Sequence, residues 1–382
     1  MPYRKLETLQ DCEDFIQGCL FMGTGGGGSV EEGMRMLSQA LDEGLSLSWV
    51  DVADMAADTL TVTVFDMGSI APISDDTKAE IEHYNLVMVN ELGDQTMAMA
   101  VQELSAYVGR EIGCIVPVEL GASNTPGPIV TAARLGIPVV DGDYSGRAVP
   151  EEMQGTPYLF GKNSWPFSSV DCWGSVTITK YAPNGHMLER IGKQLSVAGY
   201  YGTSIASTLL PAAEMKEILV PGTLSRCLAL GRAMRQARQA GENPIDAVLA
   251  ETGGWRLFEG VVSKKEWEDR DGYMFGKIYL QGRAEFEGHT FVVWFKNENH
   301  VTWLDGKPWV CSPDLVTLAY KESGAGTTNT LIAEGDEIVA VGMKGLESFR
   351  SEFGLSCAGP RYFGFDIDYV PIEDLMASLQ GS

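Results

Sequence analysis

The stretch Phe21-Met22-Gly23-Thr24-Gly25-Gly26-Gly27-Gly28-Ser29-Val30-Glu31-Glu32 constrains this chain more than any other. Consecutive glycines reach backbone angles closed to other residues and let another chain or a ligand come close. A helical pattern follows at once, with Met34, Leu37 and Leu41 recurring every three or four residues. Ser29 is placed to cap that helix, and Glu32, three residues on, to complete a capping box. The unpaired N–H groups of a helix start carry partial positive charge, so loop and helix together suit an anion. No Lys-Ser/Thr pair follows the glycines, and their spacing departs from a dinucleotide fingerprint, so this is neither a P-loop nor a Rossmann turn. A plain turn is the competing reading, although it would not need so many glycines and their entropic cost.

The chain has 382 residues, 45% of them hydrophobic, which supports a large core and more than one domain. Its 52 acidic residues outweigh 28 basic ones, a net charge of −24, and such a surface repels phosphate backbones. Nucleic acid is therefore not an expected partner. The cysteines Cys12, Cys19, Cys114, Cys172, Cys227, Cys311 and Cys357 are scattered and form no CxxC, so neither a disulfide framework nor a thiolate zinc cage is expected. There is no basic-then-apolar N-terminal signal and no apolar run of the roughly 18 residues a membrane span needs. The expectation is a reduced, cytoplasmic protein with no membrane partner.

Helices are expected over 9–20, 29–43, 75–84 and 94–109. Strands are expected over Leu45–Asp51, Leu60–Phe65, Ile112–Val118 and Ile137–Val140, with a short apolar run at Leu86–Val89. Pro126 opens a further helix, where an early helical position tolerates it. Strands alternating with helices imply a mainly parallel sheet covered on both faces, with ligands beyond the carboxyl ends of its strands. Acids cluster at those ends: Asp66, Glu91, Glu119, Asp141 and Asp143.

A Gly/Asn/Ser/Pro/Trp stretch near 161–170 marks the first boundary. A strand over 174–180, a helix over 185–198 and a helical region over 206–252 follow. From Trp255 onward, short β-rich runs are separated by turns such as Asp271-Gly272 and Asp305-Gly306, which suggests a small barrel or sandwich. The expected organisation is an α/β domain over 1–165 with a mainly parallel sheet, a mainly helical connecting insert over 166–254, and a β-barrel-like domain over 255–375. Exposed strand edges in the last of these are compatible with a homo-oligomer.

Several motifs along the whole chain carry a resemblance. They are Gly23-Thr24-Gly25-Gly26-Gly27, Glu119-Leu120-Gly121, and the run Asp141-Gly142-Asp143-Tyr144-Ser145-Gly146-Arg147-Ala148-Val149-Pro150-Glu151. In the β-rich part come Lys296-Asn297-Glu298-Asn299, Pro313-Asp314-Leu315 and Gly359-Pro360-Arg361-Tyr362-Phe363-Gly364-Phe365-Asp366. The chain resembles the S-methyl thiohydantoin desulfurase-like family, which is associated with hydantoinase and oxoprolinase systems. That resemblance implies an α/β N-terminal domain, a β-barrel-like C-terminal domain and chemistry on hydantoin-like five-membered rings.

Such chemistry replaces the S-methyl group of a ring by oxygen. It needs a base for water, an acid for the leaving group and negative charge beside an amidinium-like ring, and carboxylates can serve the first and last needs. Asp141, Asp143 and Glu151 lie on the loop leaving a strand and are the candidate catalytic residues, either with one as general base or together holding a divalent metal ion that makes hydroxide. Candidate substrate-binding residues are Thr24, Gly25, Gly26, Gly27, Gly28 and Ser29 of the loop, with Glu91, Glu119, Asn124 and Arg147. Arg147 pairs either with a substrate carboxylate or with Glu151 in a bridge that shapes the loop. None of His83, His186, His289 and His300 has metal-ligand spacing, and His300 is the best placed of them. The expected partner is a small-molecule substrate. The competing readings are a nucleotide-binding or accessory subunit of an oxoprolinase-type enzyme and a small-molecule binder without turnover.

Overall fold

The computed structural model describes residues 4–89 and 93–380. In chain order the first ten strands are β1 (Lys5–Leu6), β2 (Leu47–Val50), β3 (Leu60–Met67), β4 (Cys114–Pro117), β5 (Val139–Val140), β6 (Gly142–Asp143), β7 (Phe167–Asp171), β8 (Val176–Thr179), β9 (Thr203–Pro211) and β10 (Val220–Pro221). Eight of them form one mixed sheet in the order β1-β2-β5-β4-β3-β9-β7-β8, while β6 pairs with β10 alone. Strands β2, β5, β4 and β3 run parallel at its centre. Strand β3 is buried along almost its whole length, which is why it reads as a continuous apolar run and not an alternating one.

Residues 206–211 are strand, not the start of a helical region. Strand β9 lies antiparallel to β3, whose threonine hydroxyls donate across the pair, Thr63 to the Ser207 carbonyl and Thr61 to the Leu210 carbonyl. Small and β-branched residues fill the close space between the two strands, so no helical periodicity was there to read. The helices Ala212–Ile218, Thr223–Ala240 and Pro244–Thr252 follow. They do not stand apart as an insert. Leu224, Leu228, Met234 and Val248 share one core with Phe15 and Val62, and helix Thr223–Ala240 lies so close on helix Leu9–Met22 that a Cβ at Gly231 would sit 1.7 Å from the Asp14 carbonyl oxygen.

The remaining strands are β11 (Trp255–Arg270), β12 (Tyr273–Gly282), β13 (Thr290–Lys296), β14 (Glu298–Leu304), β15 (Lys307–Cys311), β16 (Leu315–Tyr320) and β17 (Glu337–Met343). They form an antiparallel half-barrel in the order β15-β14-β13-β12-β11-β17-β16, so the expected barrel is left open between β15 and β16. Phe258, Ile278, Phe291 and Phe295 fill its concave side. Residues Leu315, Val339 and Val341 turn the other way into the core of the first sheet, so the two halves pack as one body. Among the described residues, no helix is long and apolar enough to cross a membrane.

Candidate active site

A cavity of about 560 Å³ lies between the two sheets. It gathers the carboxyl ends of β3 and β4, bearing Asp66 and Glu119, as expected of a parallel sheet. Because β9 runs antiparallel, its first residues Thr203 and Ser204 join the same wall. The glycine loop closes one side with Gly26, Gly27, Gly28 and Ser29, and the half-barrel closes the other with Asn297, Glu298, Thr328 and Thr330.

The glycines are required by close packing on both sides. A Cβ at Gly26 would lie 1.9 Å from Glu298 Oε1, at Gly27 2.4 Å from Gly121 Cα, and at Gly28 1.7 Å from Ser123 Oγ. Thr24 and Gly25 take positive φ, and their carbonyls accept from the amides of Asn299 and Asn329. The loop thus locks one half of the molecule to the other. Ser29 caps helix Val30–Asp42 by accepting from the Glu32 amide, but the Glu32 carboxyl lines the cavity and does not close the box. Glu32 and Glu298 set acids beside the loop, with Arg35 the basic residue of the same helix at the cavity wall, so its surroundings are of mixed charge.

Glu298 is delivered by a tight hairpin. Asn297, at φ 56°, is the only residue between β13 and β14, and its amide and side chain exchange hydrogen bonds with Met274 on β12. Glu298 is 2% exposed, and its Oε2 has no hydrogen-bond partner among the described residues. Burial, then the Glu119 charge, hold its pKa well above the usual carboxylate value. Glu119 is also buried, gripped by Asn124 Nδ2 and the Val149 amide at 2.7 Å each. Burial raises it to about 7 against the pull of those donors. Both carboxyls therefore keep protons to a higher pH than solvated carboxylates do, which suits a pair that must give and take protons near neutrality.

Further acids line the same space. Burial and then Asp66 raise Glu32 to about 7, and burial and then Glu189 raise Glu152 to about 8. Glu189 accepts from the Tyr273 hydroxyl at 2.8 Å and from the Glu152 amide at 3.0 Å. Lys193 is 5% exposed at the cavity wall, its ammonium 4.2 Å from the centre of the Tyr273 ring. Glu151 also lines the cavity, but it is fixed in an ion pair with Lys296 at 2.6 Å and accepts from the Tyr362 hydroxyl at 2.5 Å.

Of the residues singled out from sequence, Gly26, Gly27, Gly28, Ser29, Glu119, Asn124 and Glu151 line the cavity. Thr24 and Gly25 support it from behind. Glu91 lies outside the described residues. Asp141 and Asp143 are not at the cavity, so neither is placed to act as its base. Asp141 accepts from the amide and hydroxyl of Ser225 and so steadies the first turn of helix Thr223–Ala240. Asp143 is fully buried and folds its own loop by accepting from the amides of Ser145 and Gly146. An acid leaving a strand can serve either role, and β6, pairing with β10, turns these two away from the cavity.

Arg147 does not pair with Glu151. Its guanidinium donates to Thr24 Oγ1 and to the carbonyls of Asn299 and Ala148, which makes it a brace between the halves. Asp141, Asp143 and Glu151 each serve different partners, and among the described residues no group of three His, Cys, Asp or Glu side chains converges as metal ligands. His300 is buried against the Phe363 ring at 4.1 Å, with burial pushing its pKa well below the usual value.

Sequence reasoning missed Glu298 and Lys193 as site residues. Glu298 sat inside a quoted motif, and a charged residue in an apolar strand run was the available signal. Lys193 follows Glu189 by four on a helix, the pattern of an ordinary solvated pair, so nothing local marked it.

The comparisons with known proteins match this architecture. The model of the S-Me-THD-like N-terminal domain matches residues 10–181, and that of the S-Me-THD-like C-terminal domain matches residues 183–372. No curated protein matches the chain. A crystal structure of a protein from Chromobacterium violaceum is similar at a TM-score of 0.75 and 22% identity, covering 97% of this chain and 100% of that one, a likeness of fold. With both of its domains matched over nearly the full length, the chain belongs to the S-Me-THD-like family.

Proposed function

We propose that this protein is a hydrolase of hydantoin-like five-membered rings, and that it replaces the S-methyl group of an S-methyl thiohydantoin by the oxygen of water. The observation that carries the reading is the meeting of two buried carboxyls, Glu119 and Glu298, from separate sheets in one cavity, both held above the ordinary carboxylate range. Ionised Glu119 takes a proton from water, whose oxygen attacks the ring carbon bearing sulfur. Neutral Glu298 gives its proton to the adjacent ring nitrogen, so the carbon becomes more electrophilic. The carbon–oxygen bond forms, the carbon–sulfur bond breaks with its electron pair going to sulfur, the hydroxyl proton returns to Glu298 as the carbonyl is made, and the proton that Glu119 took from water balances the one the thiolate gains. The products are a hydantoin and methanethiol.

The test is incubation with a 2-methylthio-imidazolone in ¹⁸O-water. Released methanethiol and a labelled ring carbonyl are expected, with losses of roughly 10²- to 10⁴-fold in Glu119→Gln and Glu298→Gln. Absence of methanethiol, or undiminished rates in both variants, would refute the proposal.

A further inference from the structure

Lys193 is an unusual lysine. It is 5% exposed, yet its ammonium donates only to the Gly68 carbonyl at 3.3 Å and, among the described residues, forms no ion pair. Buried ammonium groups are ordinarily matched by a carboxylate in contact, because desolvating a charge is costly. Here the nearby carboxyls stand off, while the Lys193 charge acts on Glu119, Glu152, Glu189 and Glu298 alike. The lysine is thus central to the acidic wall without belonging to any one acid.

Its position is held by the groups around it. The Tyr273 ring lies beside the ammonium, and the same ring also meets the Lys296 ammonium, 4.0 Å from its centre. The Tyr273 hydroxyl is committed to Glu189, and Lys296 to Glu151. Both neighbours are therefore occupied, which leaves the ammonium protons of Lys193 as the free donors on this side of the cavity.

We propose that Lys193 is the catalytic acid that protonates the departing sulfur, an inference that rests on the ring-desulfuration reading above. As the carbon–sulfur bond breaks, its electron pair goes to sulfur, and one ammonium proton passes to that sulfur to give methanethiol. The neutral amine is then recharged by the proton that Glu119 took from water, so the cycle closes with no other reactant. Burial and the Lys296 charge lower the affinity of Lys193 for its proton, which makes it a more willing donor than a surface lysine.

The experiment compares two leaving groups. Wild type, Lys193→Gln and Lys193→Arg are assayed on the S-methyl ring and on the same ring carrying an S-nitrophenyl group, whose thiolate departs without a proton. Both variants are expected to lose roughly 10²- to 10⁴-fold on the S-methyl ring and to stay near wild type on the S-nitrophenyl ring. Lys193→Arg keeps the positive charge but holds its proton too tightly to give it up, so it decides the matter if Lys193→Gln fails to fold. Equal losses on both substrates would overturn the assignment and leave Lys193 a positioning residue. Wild-type enzyme releasing neither thiol would instead overturn the desulfuration reading itself.

Discussion

Gly26 lies directly against the carboxyl of Glu298, so close that a Cβ there would be 1.9 Å from Oε1. The glycine loop and the acid are therefore one fitted unit, built from residues far apart in sequence. Gly26→Ala must push Glu298 off the position that its hairpin fixes. The expected outcome is a destabilisation of about 1–3 kcal/mol by overpacking, together with loss of ring turnover. Denaturant unfolding and thiol release, measured on the same preparation, check both halves. Wild-type values for the two would mean that the loop yields freely.

The crowding of acids in the cavity makes stability depend on pH in a defined direction. Glu32 and Glu119 are raised to about 7 and Glu152 to about 8, from about 4.5 in the unfolded chain. Their folded state holds protons that the unfolded state has already released. Stability from these groups is full below pH of about 4.5 and is lost as pH rises through their folded values. The thermal midpoint should fall between pH 5.5 and about 8.5, by an amount set by this linkage. Glu298→Gln removes one of the buried acids, so its midpoint should gain on wild type at the upper end of that range and not at the lower. Calorimetry across the range is the check, and a midpoint that climbs toward pH 8.5 would contradict it.

Asp141 and Asp143 give the opposite expectation from the cavity acids. Asp141→Ala removes acceptors for the Ser225 amide and hydroxyl, a loss of about 0.5–2 kcal/mol by analogy with helix caps. Asp143→Asn weakens a loop whose turn the carboxylate closes by accepting from two successive amides. Both variants should unfold more easily while their turnover per folded molecule is unchanged. A fall in turnover without a fall in stability would return these residues to the mechanism.

The two pairs of acids part along the line between what neighbouring residues dictate and what only tertiary packing decides. The apolar run of β3 and the Ser29 cap of helix Val30–Asp42 depend on neighbours within a few residues, and the structure has both where the pattern predicts. Asp66 and Glu119 also follow from a local rule, since ligands collect at the ends of parallel strands. The small strand pair β6–β10 is a tertiary contact, and it alone separates the useful Glu119 from Asp141 and Asp143. Strand β9 was hidden for a similar reason, because its hydroxyl-rich face is explained only by β3 beside it. Glu298 and Lys193 reach the cavity from elements far from the glycine loop in sequence, so no spacing could announce them.

Arg147 tests whether the two halves must be braced for the site to exist. Its Nη2 donates to Thr24 Oγ1 at 2.8 Å and to the Asn299 carbonyl at 2.9 Å, and its Nε to the Ala148 carbonyl at 2.9 Å. Thr24 lies just before Gly25 and Gly26, and Asn299 just after Glu298, so one guanidinium fixes both sides of the contact between Gly26 and Glu298. Burial lowers its pKa to about 10, with Glu298 and Glu119 opposing the shift, so it stays charged across the working range. A lysine keeps the charge but has a single ammonium, which cannot meet acceptors lying in divergent directions. Arg147→Lys should therefore cost about 1.5–3 kcal/mol in unfolding free energy, the worth of charge-assisted hydrogen bonds, and should depress turnover although the residue does not line the main cavity. Arg147→Met should cost more, since it also removes one of the two positive charges, with Lys193, that act on Glu298. If Arg147→Lys retains both stability and turnover, charge alone holds the halves in register and the fork geometry is dispensable.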